Sequence, residues 1–401
     1  MNMLIIGNGF DLAHKRPTRY SDFLQFLDYI LLAKDYPNDR SQFETSLNIE
    51  CQTVKQYILA SFDTRKNPGT ESAWNKNPMI QELYECLDKN VWNDYFQLIY
   101  RENEIHGKNW IDFEGEIREV IEFFDREIGD LYEQLPSSIA SPQSVPIKIA
   151  CFSKKLDFSE YNHIKNKGDS YKNTYYDLIE KTFQDLKKLI RCLEIYLDDC
   201  VAKIPIMCYS PDIKGLECGS ILSFNYTAIP INIYPSLNTH THYIHGSAKA
   251  ERPAPENNMV LGVNEYWDGD DKNTHINFNL YKKFVQRIIK ETGIDYKRVL
   301  EYMRTDTNKR KTVLDGKNSG SPYTNHFYIF GHSLDVTDKD ILREVMETSD
   351  ADTTIFYKDK QQQANQIANL SKVLTQDKLL KCTLSTSPTI IFKQQADMKQ
   401  L

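Results

Sequence analysis

The chain has 401 residues, 40% of them hydrophobic and 12% aromatic, with a formal net charge of −7 at pH 7. That is ample apolar mass for one large or two modest domains, and a mean hydropathy of −0.55 comes with no apolar run near the ~20 residues a bilayer span requires. A net acidic chain with no basic block beyond Lys309–Lys311 lacks the footprint of a polyanion binder, which argues against a nucleic-acid partner.

The N-terminus shows no basic n-region or cleavage site, so no signal peptide is expected and cytoplasmic residence is the default. Residues 3–7 form a continuous apolar run, the pattern of a strand buried on both faces in a parallel sheet. After Pro17 a helix is predicted from about Ser21, capped by Thr18 or Ser21, with Phe23, Phe26, Leu27, Ile30 and Leu31 on one face. The pattern stays mainly helical to about Cys200, with helices over 79–100, 110–135 and 177–197 and polar loops over 64–76 and 162–172. Strands are then predicted over 220–226, 241–244, 258–263 and 326–330. A helix starting at Thr337, where Thr337-x-x-Asp340 is a variant capping box, leads to strands at 353–357 and 389–392 with a helix over 363–374 between them. Residues 305–321 read as a mobile polar loop. Strand–helix alternation at both chain ends implies an α/β, Rossmann-like parallel sheet formed by 1–30 and 201–401, interrupted by a helical subdomain over 31–200.

Five strand ends carry residues that a plain turn does not require: Gly7-Asn8-Gly9-Phe10-Asp11, Asn225-Tyr226-Thr227, His245-Gly246, Gly262 with Asn264, and Gly331-His332-Ser333 with Asp335. In a parallel sheet the carboxyl ends of the strands open onto one crevice, so motifs far apart in sequence converge there. Gly7 and Gly9 allow a sharp turn whose N–H groups approach an anion, but Leu12 stands where a dinucleotide fingerprint has its third glycine. That disfavours an ordinary hydride-transfer site. A carboxylate beside a pyrophosphate would repel it, so Asp11 is read either as a helix cap or as an acceptor from ribose hydroxyls. Asn225 offers a donor and an acceptor to a ribose or a water, or else tolerates a left-handed turn. His245 is a candidate general base, or a satisfied core histidine.

Other chemistries fit less well. Gly331-His332-Ser333 resembles a nucleophile elbow, yet no histidine follows His332, so the hydrolase triad order fails. His240-x-His242-x-x-His245 invites a metal, but no H-E-x-x-H or acidic ligand at metal-like spacing accompanies it. The eight cysteines (51, 86, 151, 192, 200, 208, 218 and 382) form no C-x-x-C pair, so reduced thiols are expected rather than a zinc ribbon.

Taken together, LIIGNGFDLAH with Pro17-Thr18 and YSDFL, NWIDFEGEI (109–117), ILSFNYT (221–227), YIHG (243–246), VLGVNE (260–265) and IFGHSLDVTDKDIL (329–342) resemble, in order, the landmarks of the AbiH family of bacteriophage abortive-infection proteins. Lys15 stands where that resemblance leads one to expect glycine. More distantly, the same order is similar to the SIR2-like NAD-consuming domains of other defence systems, although Thr227 replaces a frequent Asp and Asp11 a frequent Ser. The resemblance implies Asn225 and His245 as catalytic residues. It places Gly7, Asn8, Gly9, Phe10, Asp11, Tyr226, Thr227, Gly246, Gly262, Gly331, His332, Ser333 and Asp335 around NAD or a related nucleotide. It further implies a homo-oligomer, a phage-derived trigger, no metal and no membrane. The function expected is an anti-phage effector that hydrolyses NAD at the nicotinamide–ribose bond. The alternatives are a nucleotide-binding sensor without turnover and a metal-dependent nuclease toxin. Asp112 and Glu114 are candidates to reach the crevice, or else solvated helix carboxylates.

Overall fold

The computed structural model describes residues 1–37, 39–65, 78–125, 168–266, 276–313 and 325–401. It resolves into two compact units, one of Met1–Arg16, Pro205–Ser247 and Glu291–Leu401, the other of Pro17–Ile204 and Ala248–Lys290.

Among the described residues the first unit holds eight strands: β1 (Asn2–Ile6), β2 (Cys208–Tyr209), β3 (Ser220–Ser223), β4 (His240–Tyr243), β5 (Asn325–Phe330), β6 (Ala351–Tyr357), β7 (Ile390–Gln394) and β8 (Lys399–Gln400). Six form a wholly parallel sheet in the order β4-β3-β1-β5-β6-β7, while β2 and β8 pair antiparallel apart from it. Numbered by sequence, the six run 3-2-1-4-5-6, the Rossmann order, which reverses direction between β1 and β5. The chain is thus an α/β protein with a Rossmann-like sheet. The apolar run of β1 explains its central place, because alternate side chains feed two cores. Met3 and Ile5 join Leu222, Phe327 and Ile329 on one face, covered by Ile341, Leu342, Leu370 and Val373. Leu4 and Ile6 join Phe10, Ile221, Tyr234 and Phe330 on the other.

The second unit is mainly helical. Its helix Tyr20–Asp35 starts one residue before the expected Ser21, and the backbone N–H of Arg19 donates to Asp22 at 2.9 Å, in place of a Thr18 or Ser21 cap. Phe23 and Phe26 from this helix pack on the ring of Tyr196, so residues 17–30 belong to the helical unit rather than with the sheet. The single helix predicted over 79–100 is two, Pro78–Leu87 and Val91–Ile105. The break falls at Lys89, whose φ is 52°, and Asn90 then caps the second helix by accepting the N–H of Asn93 at 3.0 Å. Helix Phe113–Phe123 accounts for part of the predicted 110–135, and residues 126–135 lie outside those described. Residues 305–313, expected as loop, close the helix Asp295–Val313, while 314–321 lie outside the described residues.

Residues 258–263 are extended but form no strand of the sheet; they carry a single parallel bridge, Val263 with Lys282. The side chain of Gln286 takes the ladder's place, donating to the Leu261 carbonyl at 2.9 Å and accepting its N–H at 3.1 Å. Nearby, Lys290 donates to the Met259 carbonyl, and burial pushes its ammonium down to about 8. Its folded value lies below the unfolded one, so the unfolded chain binds the extra proton between about pH 8 and 10.5 and stability rises with pH across that window. Urea unfolding is expected to show wild type gaining on the order of 2–3 kcal/mol over Lys290→Met between pH 8 and 10.5. Equal pH slopes for the two proteins would refute this. Among the described residues no helix is long and apolar enough to cross a membrane.

Candidate active site

Four of the five singled-out strand ends meet at the carboxyl edge of the sheet. Gly7 follows β1, Asn225 follows β3, His245 follows β4 and Gly331 follows β5, and these are the four adjacent strands β4-β3-β1-β5. The fifth does not. Gly262 lies in the helical unit, where a Cβ would stand 2.1 Å from the Tyr281 carbonyl oxygen, so its role is backbone approach across the Val263–Lys282 bridge. Asp112 and Glu114 are in that unit too. Asp112 caps helix Phe113–Phe123 by accepting the Glu114 N–H at 3.1 Å, and Glu114 pairs with Lys283 at 2.8 Å.

The glycine turn packs closely against the loop after β5. The N–H groups of Gly7, Gly9 and Phe10 already donate to Phe330 O, Gly331 O and Gly7 O at 3.1, 2.8 and 2.8 Å. A Cβ on Gly9 would sit 2.7 Å from Gly331 Cα, and one on Gly331 2.2 Å from Phe10 N. The two loops therefore close on each other at the point where the strand order reverses. Helix Gly9–Ala13 is only five residues long, and Asn8 precedes it. Gly331 also has φ 70°, so Gly331→Ala combines backbone clash with a disfavoured conformation. The expected loss is about 3 kcal/mol or more by denaturant unfolding; a loss below about 1 kcal/mol would contradict the close packing.

Asp11 is the hub of the β1–β3 side. Its carboxylate is almost fully buried and accepts from Thr227 Oγ1 at 2.6 Å, Asn225 Nδ2 at 2.9 Å and Arg16 Nη1 at 3.4 Å. Burial raises its pKa, opposed by the Thr227 hydroxyl, the Arg16 guanidinium and the Asn225 amide. The partners of Asp11 are thus protein groups, and its part in the site is to hold Asn225. Asn225 Nδ2 also donates to Gly7 O at 3.0 Å, so both amide hydrogens are committed to the β1 loop. What the side chain presents to a ligand is its acceptor, Oδ1. The main chain of Asn225 is fixed in turn, its N–H donating to Ser223 Oγ and its carbonyl accepting from that hydroxyl, each at 3.1 Å.

On the β4–β5 side two histidines face one carboxylate. His245 Nε2 lies 3.0 Å from Asp338 Oδ1, and His332 Nε2 lies 3.5 Å from Asp338 Oδ2. Phe224, the residue before Asn225, sets its ring edge-on to both imidazoles, with centroids 5.6 Å from His245 and 4.3 Å from His332. That contact ties the asparagine and histidine strand ends together. Gly246, with φ 78°, turns the chain away directly after His245, its N–H bonded to Tyr243 O. Asp335 accepts the Thr337 N–H at 3.0 Å and caps the turn Val336–Asp338 that leads into helix Lys339–Met346, which corrects the predicted Thr337-x-x-Asp340 cap. Ser333 is exposed and its carbonyl accepts from Asn369 Nδ2; Tyr226 is half-buried. Asp338, Arg16 and Ser223 were not singled out in the sequence as parts of the site. Asp338 ends the turn Val336–Asp338 that opens helix Lys339–Met346, and a carboxylate opening a helix needs no other role, so its sequence position gave no sign of the contact with His245.

The three histidines of 240–245 go to different surroundings. His240 is exposed beside Asp295, His245 meets Asp338, and His242 is engaged at both nitrogens. His242 Nδ1 accepts the Tyr296 N–H at 3.3 Å and Nε2 lies 2.9 Å from the Thr292 carbonyl, so neither nitrogen is left for a metal. Among the described residues there is no group of three His, Cys, Asp or Glu side chains that could hold a metal ion.

Fold and site together define a Rossmann-like α/β protein with an asparagine and a carboxylate-paired histidine at adjacent strand ends. Residues 3–359 match the family model described as bacteriophage abortive infection AbiH, and the chain belongs to that family. Its role is accordingly in anti-phage abortive infection. No curated protein and no solved structure matches the chain significantly. Lys15 has φ 60°, the left-handed conformation that glycine adopts freely, which accounts for the glycine expected at this turn.

Proposed function

We propose that this AbiH protein acts in abortive infection by cleaving NAD, or a closely related nucleotide, at the nicotinamide–ribose bond in a SIR2-like site. The observation that carries the reading is the convergence of Asn225, held by Asp11 and Gly7 so that only its acceptor is on offer, with His245 next to Asp338. Breaking this bond develops oxocarbenium character at the ribose, as in glycosidic cleavage. Nicotinamide departs as a neutral base from a cationic pyridinium, so no general acid is needed. Asn225 Oδ1 accepts from a ribose hydroxyl or from the attacking water. His245 takes a proton as the C–O bond forms, a contribution of ~10²–10⁴-fold for a well-placed base. Tyr226, Thr227, Gly246, His332 and Ser333 line this end of the sheet and complete the proposed nucleotide contacts. A homo-oligomer and a phage-derived trigger belong to the same proposal.

The test is nicotinamide release from NAD by the purified protein, alone and with lysate of phage-infected cells. Release that is lost in Asn225→Ala and His245→Ala is expected. NAD binding without any release would favour a sensor instead, and a metal-dependent nuclease activity would displace both.

A further inference from the structure

We propose that Asp338 is the positioning residue of the site, clamped between two histidines so that it selects the tautomer of His245. This rests on the reading of His245 as the proton acceptor. The geometry starts from His332, whose Nδ1 accepts the Leu334 N–H at 2.8 Å. A neutral His332 therefore carries its proton on Nε2, the nitrogen that faces Asp338 Oδ2 at 3.5 Å. The other carboxylate oxygen lies 3.0 Å from His245 Nε2. One carboxylate thus faces an imidazole Nε2 with each oxygen, at hydrogen-bond distance for His245 and as a longer ion-pair contact for His332.

For His245 the consequence is chemical. With Nε2 protonated toward Asp338, the lone pair is on Nδ1, which becomes the basic nitrogen of the ring. In turnover a water must reach Nδ1, which is buried in the structure; its O–H bond breaks, the proton goes to Nδ1, the oxygen bonds the ribose carbon, and nicotinamide leaves with the electron pair of the C–N bond. The imidazolium so formed is paired with Asp338, and His332 keeps that carboxylate from rotating away. The loop that makes this arrangement carries two left-handed residues, Gly331 at φ 70° and the buried Leu334 at φ 59°. A leucine in that conformation persists only where the surroundings dictate it, and here the turn brings the Leu334 N–H onto His332.

The experiment reads the tautomer directly, by ¹⁵N imidazole spectra of full-length histidine-labelled protein, with His245 assigned from His245→Gln. Wild type is expected to show His245 as the Nε2–H form. In Asp338→Asn the amide N–H₂ can donate to Nε2, and His245 is expected to move to the Nδ1–H form. Nicotinamide release by that variant should fall ~10²–10⁴-fold in kcat with KM for NAD within about threefold of wild type. Asp338→Glu, which keeps the acceptor, should retain the Nε2–H form and more of the activity than Asn. An Nδ1–H His245 in wild type overturns the proposal whether or not any variant folds. So does an Asp338→Asn protein that keeps both the wild-type tautomer and kcat. If wild type shows the Nε2–H form but releases no nicotinamide, the clamp stands and the NAD-cleaving reading fails.

Discussion

Replacing Asp11 by alanine is expected to cost about 3–5 kcal/mol of stability, the range found when one partner of a buried ion pair is removed. The reason is what the carboxylate leaves behind. The Arg16 guanidinium, 8% exposed, would keep only the Ala228 carbonyl at 3.3 Å as a partner. Thr227 Oγ1 and one Asn225 amide hydrogen would each lose their acceptor in the same stroke. Asp11→Asn keeps the shape and removes the charge, so it should cost less than alanine. It should also remove a pH effect. The folded protein binds the Asp11 proton more tightly than the unfolded chain does, because burial raises the pKa above its usual 3.8. The contribution of this group to stability therefore falls as pH rises through the raised value, and rises again on acidification until the ordinary value is passed. Urea unfolding of wild type and Asp11→Asn at several pH values below neutrality checks this. A flat difference between them would contradict it.

The second large effect concerns Asn225. Asn225→Asp is nearly isosteric, yet it sets a carboxylate oxygen where a donor now lies 2.9 Å from Asp11 Oδ2 and 3.0 Å from Gly7 O. At neutral pH two carboxylates cannot both stay ionised there, so the pair must hold a proton between them. Asn225→Asp should therefore be less stable than Asn225→Ala at pH 7, by on the order of 2 kcal/mol, with the gap narrowing as pH falls. Both variants should lose nicotinamide release. An Asn225→Asp protein as stable as wild type at pH 7 would show that the amide is not bound to Asp11 as described.

Much of the sheet was legible because parallel strands buried on both faces read as plain apolar runs, as at Leu4, Ile5 and Ile6. The same rule misled at 258–263, where the run is equally apolar but a glutamine side chain occupies the ladder positions. Pairing partners are a tertiary property, and no local pattern distinguishes the two cases. The helix break at Lys89 was missed because apolar spacing continues in phase on either side of Asn90. At the site, Asn225 and His245 were singled out as polar residues following predicted strands, and the structure sets them after the adjacent strands β3 and β4. What the glycines do was not legible. Gly7 and Gly331 are 324 residues apart in sequence, and only the adjacency of β1 and β5 shows that they pack on each other. The hydrogen bonds of Asp11 were hidden for a similar reason: its partners Thr227 and Asn225 come from the turn after β3, more than 200 residues away.

We propose that infection ends in NAD destruction at Asn225 and His245. The most direct measurement is the NAD content of phage-infected cells carrying wild type or the Asn225→Ala and His245→Ala variants at equal protein levels. Total NAD is predicted to collapse after infection in wild-type cells, with nicotinamide appearing in step, and to hold in both variants together with loss of phage protection. Protection by wild type with NAD undiminished would contradict the account.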